Sequence, residues 1–127
     1  MIKIKQEELP NIVVGLTDII TQSLPIKAAY WIKKLATGKI EKKARDFEKD
    51  RMAIINLYGK RDDKGQLVIE NHNYVLSDRE TFDKEMFNLR NREIDIDFNK
   101  IPLSIFGNAN VTPASLIALD KFIDEDK

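Results

Sequence analysis

The chain has 127 residues, 43% of them hydrophobic and 33% charged, which suits one domain with a single core. It contains no cysteine, so disulfides and thiolate metal sites are excluded. Formal net charge is zero, but residues 24–60 carry ten Lys/Arg against four Asp/Glu, and residues 61–127 carry nine against fourteen. A basic half and an acidic half point to self-association or internal pairing as readily as to an external polyanion. No run reaches the roughly 18 apolar residues of a membrane span. The opening "MIKIKQEELPN" lacks the apolar stretch and cleavage site of a signal peptide, so the expected location is the cytosol.

"MIKIK" alternates apolar and basic residues and predicts a short strand. Residues 11–22 read as a helix, although their β-branched residues and Gly15 are poor helix formers. Ser23 is positioned to cap the next helix, with Pro25 in its first turn. From there one long amphipathic helix is predicted over residues 25–58, ending near Gly59. At 100° per residue, Ile26, Ala29, Tyr30, Ala36, Ile40, Ala44, Phe47, Ile54, Ile55 and Tyr58 fall on one face. Its length would be roughly 50 Å, more than a compact domain of this size needs.

"LVIE" and "YVLS" flank "NHN" and predict a hairpin. Ser77 and Glu80 form a capping-box pattern that opens a helix, with Phe82, Met86 and Leu89 inward. "EIDIDF" alternates strictly, with Ile94, Ile96 and Phe98 on one face, and reads as a strand. "IPLSIF" is a candidate further strand. Thr112 and Pro113 start a final helix lined by Leu116, Leu119, Phe122 and Ile123, and "DEDK" reads as a frayed tail. The expected fold is a single α+β domain over residues 1–127. A long amphipathic helix (about 25–58) leads to an α+β remainder (about 61–123), with two or three shorter helices and a small antiparallel sheet.

Chemistry is hard to find in these residues. The one histidine, His72, lies in a turn between two asparagines, where a solvated role is the simple reading. Glu93, Asp95 and Asp97 share one strand face and could hold a divalent cation. Their simpler reading is the charged side of a half-buried strand. No serine elbow, phosphate-binding loop or dinucleotide fingerprint is present. The expectation is a protein that is not an enzyme and has no metal or cofactor.

Two features of the long helix bear on partners. Lys27, Lys34, Lys42, Arg45 and Lys49 cluster on one side, a stripe that could follow a phosphate backbone, although no nucleic-acid-binding motif accompanies it. Trp31, Leu35 and Gly38 lie away from the main apolar stripe. Gly38 could form a notch filled by the chain's own N-terminal helix or by another protein anchored on Trp31, or it could mark a hinge. The candidate partner-binding residues are therefore Trp31, Leu35, Gly38, Lys42, Arg45 and Lys49.

The succession "SLPIKAAYWIKK", "IEKKARDFEKDRMAIINLYG", "DDKG", "FDKEMFNL", "EIDID" and "VTPASLIALDKFI" resembles small proteins of tailed bacteriophages and prophages, in a family of unknown function. The resemblance spans nearly the whole chain and offers no catalytic residues to transfer. It implies a phage product made in the bacterial cytoplasm, with the virion as the alternative location. Three roles then stand open. The first is an accessory protein that binds a protein partner, such as a host or defence protein. The second is an oligomeric structural or assembly component of the particle. The third, less favoured, is a nucleic-acid binder. A homo-oligomer is expected, and no membrane association.

Overall fold

A computed structural model describes residues 1–125 and shows an α+β fold. Four helices, one of them 33 residues long, combine with small two-stranded sheets. Strand β1 (Ile2–Lys5) leads through a 3₁₀ turn into helix α1 (Leu9–Ile20). The long helix α2 (residues 26–58) follows, then the hairpin strands β2 (Ile69–Glu70) and β3 (Asn73–Tyr74). Helix α3 (Arg79–Asn91) precedes β4 (Glu93–Ile96) and β5 (Ile101–Pro102). Helix α4 (Pro113–Ala118) and β6 (Ile123–Asp124) close the described chain.

The alternating segments pair as their period requires. β1 and β4 are antiparallel, with Lys3 opposite Asp95 and Lys5 opposite Glu93. Opposite charges therefore face one another on the outer side, while Ile2, Ile4 and Ile96 are buried on the inner side. In the β2–β3 hairpin, Asn71 and His72 both have positive φ, 52° and 66°, the geometry of a two-residue turn. The sheets are not all antiparallel as expected: β5 and β6 pair in parallel, Ile101 with Ile123. This pairing takes Asp124 out of the predicted frayed tail, and Asp126 and Lys127 lie outside the described residues.

Helix starts differ from expectation by a residue or two. Ser23 does not cap α2; Pro25 occupies the cap position and its carbonyl accepts from the Ala29 N–H at 2.9 Å. Asp78, not Ser77, caps α3 by accepting from the Thr81 N–H, while the Ser77 hydroxyl donates to the Tyr58 carbonyl. Thr112 does cap α4, by accepting from the Ser115 N–H. That helix stops at Ala118, so Phe122 and Ile123 reach the core from a 3₁₀ turn and a strand instead.

Helix α2 is continuous, but its apolar face does not keep phase. Residues Lys34–Ile40 form a π-helical segment, in which the Glu41 N–H donates to the Ala36 carbonyl five residues back. The buried positions run Ala28, Ile32, Leu35 and then step five residues to Ile40, followed by Phe47 and Ile55. The predicted stripe is correct from Ile40 onward and wrong at its start, where Ile26 is 86% exposed and Tyr30 is 50% exposed; Ala36, between that start and Ile40, packs partly buried against the core. The extra residue of a π turn rotates everything beyond it by about one helical position. The Thr37 hydroxyl donates to the Lys33 carbonyl at 2.8 Å, supplying a donor where the backbone ladder slips.

The core is one cluster. Leu9, Ile12, Leu16 and Ile19 of α1 join Ile32, Leu35 and Ile40 of α2, with Met86, Leu89, Ile96, Phe106, Leu119 and Phe122 from the second half. Buried Gln6 ties the two halves together: its side-chain amide donates to the Leu89 carbonyl and its N–H to the Arg92 carbonyl.

Candidate functional site

The six candidate partner-binding residues separate into three groups. Leu35 is fully buried, so it belongs to the core and cannot anchor an external partner. Trp31 is 41% exposed. Its ring meets Phe98 edge-on at 6.2 Å, and Phe98 meets Phe122 at 6.4 Å, so one edge of the indole is tied into the core. Tyr30 packs on the other side at 5.5 Å, and the Lys34 ammonium lies 4.8 Å from the Tyr30 ring and 5.6 Å from the Trp31 ring. The internal contact of Trp31 is thus with the segment after β4, not with α1.

Gly38 makes no notch. A Cβ built on it meets nothing within 4 Å. The close approach lies at Gly15 instead, where a Cβ would stand 2.8 Å from the Ala118 Cβ as α1 crosses α4. Nor does α2 hinge at Gly38, since the π segment carries it through.

The basic stripe is largely engaged within its own helix. Lys42 pairs with Asp46 at 3.0 Å and Arg45 with Glu41 at 3.8 Å. The Lys42 hydrogen bond, together with the positive charge of Lys42, Lys43 and Lys49, holds the Asp46 carboxyl below its ordinary value. Lys49 makes no ion pair among the described residues. No ion pair among them joins basic residues of 27–49 to the acidic second half, so the two charge halves do not neutralise each other by contact. Among the described residues no group of three or more His, Cys, Asp or Glu side chains converges on a metal position. Glu93 instead lies 3.6 Å from the Lys3 ammonium across the strands.

The surface that sequence reasoning missed lies between α1 and the π segment. An apolar trough of about 440 Å³ runs along Val13, Leu16 and Ile20 on one wall and Ala36, Ile40 and Ala44 on the other. Arg45, Glu41 and Glu48 stand along its edge. A second hollow of about 380 Å³, reaching Leu24, Ala29 and Ile32, shares Ile20, Ala36 and Thr37 with it. The short side chains of Ala29, Ala36, Thr37 and Ala44 leave this space unfilled, while Val13 and Ile20 on the α1 wall are exposed. The signal in the sequence is the pair of apolar stripes, one ending at Leu35 and one starting at Ile40, out of phase by one residue.

No family model, curated protein or solved structure matches this chain. No described helix is long and apolar enough to cross a membrane.

Proposed function

We propose that this chain works by protein–protein contact, as a self-associating accessory protein of the phage type that its sequence resembles. The observation that carries this reading is its surface. The chain exposes 8928 Å². A compact monomer of 14.7 kDa exposes roughly 6900 Å². The excess is on the order of 2000 Å², while a standard interface needs only about 800 Å² per partner. The trough between α1 and α2 is an apolar, concave part of that surface, and a second copy is its first occupant. Two troughs facing across a twofold axis would bury Val13, Ile20, Ala36 and Ala44 against their own counterparts. The assembled form then engages a further protein, with the host or its defences as the target class.

Light scattering at tens of micromolar tests this. A mass of at least twice 14.7 kDa is expected. Ile20→Asp should reduce it to the monomer mass without loss of helical signal, because Ile20 is exposed. A parent chain that stays at the monomer mass would overturn the self-association. A structural component of the particle is the second reading. It is favoured by the stiffness of a helix roughly 50 Å long, and a mass corresponding to a ring of many copies would select it. Nucleic acid is less favoured: Lys42 and Arg45 already hold carboxylates, and Lys34 lies over two aromatic rings.

A further inference from the structure

A separate hollow of about 300 Å³ lies between the C-terminal half of α2, the β2–β3 hairpin and α3. Three arginines, Arg51, Arg79 and Arg90, line it, and no Asp or Glu does. On α3 the spacing Arg79, Phe82, Met86, Arg90 follows one helical face, so the helix presents an apolar strip with a guanidinium at each end. Arg51 comes from the facing helix, and Tyr74 of the hairpin lines the same hollow.

The three cations are unequally committed. Glu48 holds Arg51 through two hydrogen bonds, at 2.9 and 2.7 Å. Arg79 has a looser contact with Asp83 at 3.6 Å. Arg90 has neither an ion pair nor a hydrogen bond among the described residues. Each guanidinium carries five N–H donors in a planar fork that matches an oxyanion. Donors around this hollow therefore outnumber the acceptors nearby, and three like charges around one concave surface favour the arrival of a counter-charge. The lining is not polar throughout, however: half-buried Phe82 offers an apolar contact among the guanidinium groups.

We propose that this hollow binds an oxyanion carried on a small apolar body, a phosphate or carboxylate attached to a single ring. Arg90, the guanidinium without a partner among the described residues, receives the oxyanion, while the ring lies against Phe82. The volume is at the lower end for ligand pockets, which fits one ring and its charged group. This inference does not depend on the trough or on self-association.

The test is an amide-resolved NMR titration of the full chain with phenyl phosphate, benzoate, inorganic phosphate and phenol. Saturable shifts centred on residues 73–90 are expected for phenyl phosphate and benzoate, with much weaker effects from inorganic phosphate and phenol. Arg90→Ala should weaken phenyl phosphate at least about tenfold, the loss of a charge-assisted hydrogen bond. Lys49→Ala, on the outer face of α2, should leave it unchanged. Arg90 is exposed and holds no other side chain, so the variant is expected to fold, and circular dichroism checks this. A short phosphotyrosine peptide run alongside distinguishes a protein-borne oxyanion, bound more tightly than phenyl phosphate, from a free small molecule, bound equally well or better. The proposal is overturned if phenyl phosphate gives no saturable shifts, if phenol or inorganic phosphate binds as tightly, or if Arg90→Ala binds as the parent does.

Discussion

A methyl group built on Gly15 stands 2.8 Å from the Ala118 Cβ and 3.5 Å from Leu119 Cγ, whereas one built on Gly38 meets nothing within 4 Å. Carbon atoms pack at about 3.5–4.0 Å, so Gly15→Ala forces α1 and α4 apart by roughly 1 Å or compresses the contact. Overpacking of this kind costs about 1–3 kcal/mol, against a gain of up to about 1 kcal/mol from helix propensity. Taking the middle of the overpacking range less the full propensity gain, Gly15→Ala should lose about 1 kcal/mol. Gly38→Ala has only the propensity term and should gain up to about 1 kcal/mol. Urea unfolding read by far-ultraviolet circular dichroism resolves both, because the two midpoints should move in opposite directions with little change in slope. Ala118→Gly added to Gly15→Ala removes the opposing methyl and should recover much of the loss. A Gly15→Ala variant as stable as the parent, or a Gly38→Ala variant clearly less stable, would refute the reasoning.

Deleting Gly38 should leave a folded protein. It turns the π turn into α-helix and puts Leu35 and the former Ile40 four apart on one face. The same deletion at exposed Ala53 should unfold the chain or nearly so, since it rotates Ile55 out of the core; thermal melts compare the two. Trp31→Ala should cost about 2 kcal/mol, from partial burial and the edge contact with Phe98, and lower the melting temperature. At Glu8, burial pushes the carboxyl up, but the Lys5 N–H and the Lys121 ammonium outweigh it and hold the carboxyl below its ordinary 4.5. A depressed carboxylate stabilises the fold above its unfolded value, and that contribution is lost as pH falls through the lower folded one. Glu8→Gln should therefore be less stable than the parent at neutral pH and converge with it well below pH 4.5 in pH-dependent urea unfolding.

Short-range patterns decided a good part of this protein. Period-two alternation in "MIKIK" and "EIDID" marked β1 and β4 and which side of each faces inward, the isoleucines in and the charged residues out. The spacing of Phe82, Met86 and Leu89 marked α3. The Thr112–Pro113 start marked α4, and the apolar spacing from Ile26 to Tyr58 marked the length of α2, although the phase it assumed breaks at the π turn. These are signals in which each residue speaks for its own neighbourhood. Tertiary packing decided what those signals leave degenerate. Residues 26–40 carry two apolar stripes, and either alone is a sound α-helical face. Burying Leu35 and Ile40 in the same core required the five-residue step of a π turn. Two helical glycines look alike in sequence, yet only the crossing of α1 over α4 makes Gly15 necessary and leaves Gly38 idle. The parallel pairing of β5 with β6 and the meeting of Arg51, Arg79 and Arg90 join residues far apart in the chain. Contacts of that range carry no periodicity, because they arise from how finished elements pack and not from how each one forms.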